Sequence, residues 1–445
     1  MISSGTNLSV LGLLLAGYAF FSKGFAYFGF SPFFIGEIVL VALLAGVLLT
    51  RYDLRFFRSP IVTLILLFVL WQVIAIMAGP KYSLMDTLRD SVVWGYAAFA
   101  FIAAALLYGT GNIEKSISWY GRVLPWFVVW APLGYVLYIK TIGLTPVHAG
   151  TRVPMLLLKT GDFGVHLAGA ATFLALGLHR RFPLRKGKQV VFQEMFWWSA
   201  IAAGVIAAGS RNRGGMLSVM MALLVVTVLK PNNRLKNFLI PGLIIVSLFS
   251  IFDVRIPLGG GREISMDQVT NNVASIFTES QEQSLSGTAE WRLEWWQSII
   301  DDTVFGKDFW FGRSYGVNLA EVDGFADATQ NRSPHNAHLT ILARSGMPGL
   351  AIWLILIGTI YYVLLKCYLQ CLRTNREYLG NINLWIMGYL TAFLVNSSFD
   401  VFLEGPQGGI WFWSLVGFAI AVTYTQQAQV VRRPRVAPVA GRRAM

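Results

Sequence analysis

The chain has 445 residues, of which 55% are hydrophobic and only 13% are charged. Soluble domains carry about 25% charged residues, so this balance excludes an ordinary soluble protein and indicates a polytopic membrane protein. The net charge of +13 comes from basic clusters between alternate apolar segments. That pattern indicates membrane sidedness, and it argues against nucleic acid as a partner.

Twelve apolar segments are candidates for membrane-spanning helices, which need roughly 20 apolar residues each. They lie near 7–23, 32–50, 60–79, 91–109, 120–139, 164–179, 194–209, 215–229, 237–254, 338–365, 383–400 and 407–425. The N-terminus has neither a basic n-region nor a small-residue cleavage site, so we interpret the first segment as a retained helix and not as a signal peptide. The predicted fold is all-α, with about twelve transmembrane helices and a large, mostly helical loop.

The basic clusters predict the orientation of the chain. Each cluster follows an even-numbered segment, and the C-terminal tail adds more; they comprise Arg51, Arg55 and Arg58, then Arg180, Arg181, Arg185, Lys186 and Lys188, then Lys230, Arg234 and Lys236, then Lys366, Arg373 and Arg376, and finally Arg432, Arg433, Arg435, Arg442 and Arg443. The positive-inside rule places them all in the cytoplasm. Both termini are then cytoplasmic, and segment 255–334 lies on the far side. Cys367 and Cys371 fall on the reducing face, where neither a disulfide nor a metal site is expected.

The chain divides into segments one to nine (1–254), an outward cap (255–334), segments ten to twelve (335–425) and a basic tail (426–445). The sixth and seventh segments are short, which predicts tilting or shielding by neighbouring helices. Gly346-Met347-Pro348-Gly349 predicts a kink or break in the tenth segment. No internal repeat marks an inverted-repeat transporter.

The outward cap is long enough to be structured or functional. Thr288-Ala289-Glu290 predicts a helix N-terminus, and Trp291, Trp295 and Ile299 follow at helical spacing, so we expect an amphipathic helix that ends near Asp302. Its tryptophans are predicted to anchor the cap on the bilayer surface. Gly259-Gly260-Gly261-Arg262 is either a flexible turn or a backbone anion site.

Two groups of outward arginines are candidates for binding an anion. Ser210-Arg211-Asn212-Arg213-Gly214-Gly215 places two guanidinium groups in a tight outer turn, where topology does not require them. A guanidinium group can donate two parallel hydrogen bonds to the oxygens of one phosphate. The alternative is that Arg211 and Arg213 reach lipid phosphates. Arg292 is a further candidate, although it can instead pair with Glu290 or Glu294, or stack on Trp296.

The run Pro334-His335-Asn336-Ala337-His338 lies where the polar cap meets an apolar segment. Histidine titrates near neutral pH, so His335 and His338 are candidates for acid–base chemistry. The alternative is a structural helix cap. The two histidines can also chelate a metal, but no acidic residue is fixed nearby and the cap lacks an Asp-X-Asp pair, so we expect no metal.

Ionisable residues inside or beside the apolar segments lie mostly near helix ends; they are Glu37, Asp86, Arg89, Asp90 and Asp400. Charged groups in membrane segments mark substrate or ion pathways when they face the interior. Glu37 is the one that we expect to line such a pathway.

One run resembles the signature of the O-antigen ligase and polymerase superfamily: His335-Asn336, nine residues, Gly346, two residues, Gly349. The twelve segments, the large loop before the tenth, the two-arginine turn and Arg292 opening a Trp-rich helix are similar to that superfamily too. The resemblance implies a glycosyltransferase of the bacterial inner membrane with a periplasmic active site. Its donor would be an undecaprenyl-diphosphate-linked glycan and its acceptor the lipid A–core, with membrane lipids around it and no metal, nucleotide sugar or other cofactor.

The resemblance also suggests roles for the candidate residues. His335 matches the superfamily's essential histidine, and Arg211 and Arg292 match its functional arginines; Arg213 and His338 fit the same site as further substrate-binding residues. In this hypothesis the imidazole of His335 takes the acceptor's proton, and the arginines stabilise the leaving diphosphate, with inversion at the anomeric carbon.

Three alternatives remain at this stage. An O-antigen polymerase uses the same donor with a carrier-linked acceptor, and a protein oligosaccharyltransferase of the superfamily uses a serine or asparagine. The position of the long loop, directly before the histidine motif, favours the ligase. A lipid-linked-sugar transporter is disfavoured because the chain lacks a repeat and has few charges within its apolar segments.

Overall fold

The computed structural model describes residues 4–151, 153–181, 189–210, 212–259, 262–277, 283–326 and 332–431. These ranges are mainly helical, which confirms the all-α fold. The helices are α1 (Ser4–Ala26), α2 (Ile35–Leu49), α3 (Pro60–Ala78), α4 (Leu84–Asp90), α5 (Val92–Gly95), α6 (Ala98–Leu107), α7 (Asn112–Thr141), α8 (Thr160–Ala175), α9 (Gln189–Gly209), α10 (Arg213–Leu229), α11 (Lys236–Ile251), α12 (Met266–Phe277), α13 (Gln283–Val304), α14 (Leu319–Val322), α15 (Ala337–Arg373), α16 (Glu377–Ser397) and α17 (Pro406–Val431).

Two short antiparallel hairpins complete the described structure. Strand β1 (Gly29–Phe30) pairs with β2 (Phe33–Phe34), and β3 (Ile256–Gly259) pairs with β4 (Arg262–Ile264). The second hairpin opens the cap, at the position predicted to be a glycine turn. Gly260 and Gly261, on which the alternative of an anion site depends, lie outside the described residues.

Every predicted apolar segment overlaps a helix, but fewer than twelve helices are long enough to cross a membrane. In the described part of the chain, seven helices are long and apolar enough to cross a membrane. The pair Leu84–Asp90 and Val92–Leu107, whose helices are bent by 54°, makes an eighth if the pair is one span. Ile35–Leu49, Arg213–Leu229 and Lys236–Ile251 are apolar but shorter. The chain is therefore a multi-pass membrane protein, and the number twelve stays a prediction.

Helix α8 is the centre of the bundle. All its side chains are buried, and it packs against α9, α10 and α16. Two glycines permit the closest approach: a Cβ on Gly164 would lie 2.5 Å from the Cα of Gly215 in α10. Because this crossing lies at the N-terminal ends of both helices, it brings residues 159–162 next to Asn212 and Arg213.

Helix α15 breaks at Gly346 (φ 71°, ψ −175°), which confirms the predicted kink. The break reverses the chain. Trp353 Nε1 donates a hydrogen bond to His338 Nδ1 at 3.0 Å, although the two residues are fifteen positions apart. An unbroken helix would separate them by about 22 Å. A short arm (337–345) therefore runs back alongside a long arm (347–373), and His338 lies beside Trp353, which is about 9 Å along the helix from the start of the long arm.

The cap is joined to this break by backbone hydrogen bonds. Arg313 N donates to Ala343 O at 2.7 Å, Ser314 N to Arg344 O at 3.1 Å, and Met347 N to Phe309 O at 2.8 Å. The same cap segment follows the end of α3, where Phe311 stacks on Trp71 with ring centroids 5.7 Å apart. Buried irregular backbone needs hydrogen-bond partners for its polar groups, and these bonds supply them.

The cap helix α13 corrects two predictions. It begins at Gln283, so Thr288 lies inside the helix and is not its N-cap; propensity differences below about 1 kcal/mol per residue are easily overridden by packing. Trp295 is no membrane anchor, because it is fully buried. Its indole stacks on Phe325 and donates to Asp323 Oδ2 at 2.7 Å. The apolar stripe of α13 faces the protein instead of lipid.

Two further predictions concern charges and thiols. Glu37 accepts hydrogen bonds from Tyr96 Oη at 2.5 Å and from Phe34 N at 3.2 Å, so its carboxylate fixes the start of α2. Cys367 and Cys371, where no disulfide is expected, are buried thiols.

Candidate functional site

A polar cluster forms where the N-termini of α8, α10 and α15 meet the C-terminus of α16, on the side of the bundle that carries the cap. His335 directly precedes the N-cap of α15. The N-cap Asn336 accepts from the backbone amides of His338 at 3.0 Å and Leu339 at 3.2 Å. His335 has φ 55°, a conformation that few residues other than glycine adopt but in which histidine is enriched. Its ring contacts Trp291 of the cap, with centroids 6.5 Å apart.

Asp400, in the loop between α16 and α17, is the residue on which the cluster converges. Both of its carboxylate oxygens lie 3.1 Å from Lys159 Nζ, and His335 Nδ1 lies 3.8 Å from Oδ1. Burial alone would raise the pKa of this carboxyl, but the charge of Lys159 and the neighbouring His335 hold it well below its usual range. Asp400 is therefore ionised at any physiological pH.

Lys159 is placed by the start of α8, where it is the N-cap residue. Burial would lower the pKa of its ammonium group, but Asp400 and Asp162 raise it above the ordinary value. Position 161 must lack a side chain, because a Cβ on Gly161 would lie 2.8 Å from Asn212 Nδ2 and 3.3 Å from Asp400 Oδ2. The small residue lets three helix ends share one pocket.

Two of the three predicted arginines reach this cluster. Arg292 projects from α13 and donates from Nη1 to Phe399 O at 3.1 Å, one residue from Asp400. Burial lowers the pKa of Arg292; Asp400 opposes that change and Arg213 adds to it, so all three charges lie within electrostatic range. Arg213 is the first residue of α10. Arg211 lies outside the described residues.

His338 is placed differently from its predicted role. It points into the bundle, where Nδ1 accepts from Trp353 Nε1 and the ring also hydrogen-bonds the backbone of Leu394. These contacts are those of a packed structural histidine that holds the two arms of α15 together. The structure brings His335, Arg213 and Arg292 together and leaves His338 beneath them.

The walls of the cluster contain polar atoms whose hydrogen-bonding capacity is not used by the described protein. Among the described residues, Asn396 Oδ1 and Nδ2, Asp162 Oδ1 and Arg292 Nε are buried and have no hydrogen-bond partner. Buried polar groups in native proteins are nearly always bonded to protein, water or ligand. These atoms therefore indicate a place for a polar ligand.

The charge of the cluster fits an anion better than a metal ion. Lys159, Arg213, Arg292 and the half-buried Lys23 face two carboxylates, and three helix N-termini add positive potential. No group of three or more His, Cys, Asp or Glu that fits a metal ion occurs in the described ranges. A diphosphate is the kind of group that such cations and helix ends hold.

A second carboxyl, that of Glu404, lies within electrostatic range of His335. It accepts from Thr340 Oγ1 at 2.8 Å, and burial raises its pKa above the ordinary value, while Thr340 and Arg344 oppose that change. Glu404 and Asp400 thus present two carboxyls of different acidity to one imidazole.

Sequence reasoning missed Lys159, and it classed Asp400 only as a charge near a helix end. The signal available for Asp400 was its position, directly after a span on the same face as His335. Lys159 had no such signal, because it stands 241 residues from its partner.

One comparison with known proteins gives a match. Residues 198–354 match a family model described as O-Antigen ligase. The matched region begins in α9, includes the two-arginine turn, the cap with Arg292 and the His335 motif, and ends in the long arm of α15. Lys159 and Asp400 lie outside it. No curated protein matches the chain.

Proposed function

Because the chain belongs to the O-antigen ligase superfamily of glycosyltransferase-like membrane enzymes, we propose that it transfers a glycan from undecaprenyl diphosphate to a sugar hydroxyl of lipid A–core. The proposal includes a site open to the periplasm of a bacterial inner membrane. The observation that carries it is the arrangement around Asp400: the imidazole of His335 lies 3.8 Å from its carboxylate, and Arg292 lies within electrostatic range of both Asp400 and Arg213.

In the proposed reaction the acceptor oxygen attacks the anomeric carbon of the donor sugar. The bond from that carbon to the diphosphate oxygen breaks, and its electron pair leaves with undecaprenyl diphosphate. The acceptor's proton passes to His335 Nε2, while Nδ1 faces Asp400, which stabilises the imidazolium that forms. Direct displacement inverts the anomeric centre.

The cations serve the leaving group. Charge develops on the diphosphate as the bond breaks, and preorganised cations aimed at developing charge are worth several kcal/mol in a site that excludes water. Arg292 is held by Phe399 O and Arg213 by the N-terminus of α10, so both are positioned by helix ends. His338 contributes to this site through the short arm of α15 and not through contact with substrate.

A purified-component assay tests the proposal. Wild-type protein mixed with undecaprenyl-diphosphate-linked glycan and lipid A–core should form ligated product. His335→Ala should abolish transfer but retain donor binding, and Arg292→Ala should weaken donor binding. Arg255→Ala is the matched control, because Arg255 is an exposed cap arginine whose partners are Asp253, Glu263 and Asp267. Full transfer by the His335 variant would refute the base role.

The same assay separates the closest alternative. An O-antigen polymerase would lengthen carrier-linked glycan in the absence of lipid A–core. The long cap directly before the His335 motif favours the ligase. Chain lengthening on the carrier, with none on lipid A–core, would select the polymerase.

A further inference from the structure

Lys159 and Asp400 form an ion pair that belongs to neither the matched family region nor the motifs of the cap. Lys159 stands at the start of α8, and both of its contacts with Asp400 are 3.1 Å long. The pair is largely buried, with 29% of the lysine side chain and 11% of the aspartate side chain exposed. Because the pair is largely buried, the contact with Lys159 fixes the orientation of the Asp400 carboxylate.

Asp400 lies between two cationic partners at unequal distances. Its contacts with Lys159, at 3.1 Å, are within hydrogen-bond distance, whereas the 3.8 Å to His335 Nδ1 is too long for a hydrogen bond. Asp400 Oδ1 also accepts from the amide of Val401 at 2.8 Å, which keeps the carboxylate near both partners. A shift of about 1 Å would turn the His335 contact into a hydrogen bond.

Lys159 is placed to reach an anion as well. Arg292, Lys23 and Asp162 all lie within electrostatic range of its ammonium group. Asp162 itself accepts from Ser22 Oγ in the kink of α1. The lysine thus lies in contact with Asp400 and within electrostatic range of Arg292, which is hydrogen-bonded to the neighbouring Phe399 O.

We propose that Lys159 is a ligand of the donor diphosphate, and that it exchanges Asp400 for a phosphoryl oxygen when the donor binds. The proposal rests on the proposed function. A diphosphate carries more charge than a carboxylate and offers more acceptor oxygens, so it competes effectively for an ammonium group. Asp400, released from Lys159, closes on His335 Nδ1.

Through this exchange, binding of the donor at Lys159 makes His335 a stronger base. A carboxylate in contact with an imidazole favours the protonated ring, so His335 accepts the acceptor's proton more readily once the donor holds Lys159. The charged groups that face His335 are Asp400 and Glu404, and those that face Asp400 are Lys159, Lys23, Arg292 and Asp162. Of these, Lys159 is in direct contact with Asp400.

The first measurement is binding of undecaprenyl diphosphate without a glycan, which needs no turnover. Lys159→Met should weaken binding about 10- to 100-fold, the loss expected for one hydrogen bond between charged groups. Lys159→Arg should retain most of it. Lys307→Met, which removes an exposed cap lysine, should bind as the wild type does.

The second measurement is the pH profile of transfer. For the wild type, the acid limb of kcat, which reports the donor complex, should lie at higher pH than the acid limb of kcat/KM, which reports the free enzyme. In Lys159→Met the two limbs should coincide at the higher pH, because Asp400 already contacts His335. If Lys159 only holds Asp400 and does not bind the donor, its removal should move both limbs together, and their separation should equal that of the wild type.

A third variant controls for misfolding caused by an unpaired Asp400. Lys159→Met combined with Asp400→Asn removes both charges of the pair, so no carboxylate is left unpaired, and binding should stay weak. Wild-type affinity in Lys159→Met or in the double variant overturns the role of Lys159, as do coincident acid limbs in the wild type. If Arg292→Ala still weakens binding in that case, the proposed function stands; if the wild type binds no undecaprenyl diphosphate, both proposals fail.

Discussion

Substitution of Gly346 by alanine should disrupt the turn between the two arms of α15. At φ 71° and ψ −175° this residue occupies a region that is essentially restricted to glycine, and a side chain there costs about 1–3 kcal/mol. A Cβ would also lie 2.5 Å from the carbonyl oxygens of both Phe309 and Trp310. Relief of that clash breaks the hydrogen bond from Met347 N to Phe309 O, worth about 1 kcal/mol. The total loss is about 2–4 kcal/mol.

The assay is thermal unfolding of the purified protein in detergent, followed by size-exclusion chromatography of heated samples. Gly346→Ala should unfold several degrees below the wild type. Gly358→Ala is the control in the same helix, where no atom lies within 4 Å of the added Cβ. That variant should be neutral or more stable by up to about 1 kcal/mol, since alanine favours a helix over glycine. Equal unfolding temperatures for the two variants would refute the account of the turn.

Three further predictions concern the cap, the ion pair and metals. Trp295→Ala should cost about 3–5 kcal/mol in the cap, because it empties the buried stack on Phe325; faster proteolysis of the cap in an intact bundle would show it. Asp400→Asn should destabilise the protein at neutral pH, and the difference from wild type should shrink below about pH 4. The lowered pKa of Asp400 gives stability that is present above the ordinary carboxyl range and is lost as pH falls, and unfolding at several pH values measures it. A chelator should leave transfer unchanged, since cationic side chains line the site; loss of activity with EDTA and recovery with Mg²⁺ would contradict this.

The sequence predicts those parts of the fold whose causes are local. Apolar runs of sufficient length place the helices, and a Gly-Met-Pro-Gly run places the break in α15. Neither shows the direction of the chain after the break, because that depends on the pairing of residues 309–314 with 343–347. The sequence pattern therefore could not predict the reversal that places His338 beside Trp353.

The candidate site was predicted in part, for a similar reason. A histidine and arginines that share one side of the membrane suggest a common pocket, and His335, Arg213 and Arg292 lie in one cluster around Asp400. The apolar stripe of α13 has the same spacing whether it faces lipid or protein, so the burial of Trp295 was missed. The pairing of Lys159 with Asp400 joins residues 241 positions apart and leaves no trace in local sequence.

The bonds between cap residues 309–314 and the break in α15 also limit how the protein can move. A lid that swings about one hinge must be free along its remaining edges, but this part of the cap is fastened to the bundle by main-chain amides and carbonyls. Opening it would break three main-chain hydrogen bonds, each of which contributes about 0.5–1.5 kcal/mol. We therefore expect residues 309–314 to stay in place when a ligand reaches the polar cluster, and any opening of the cap to occur elsewhere along its edge.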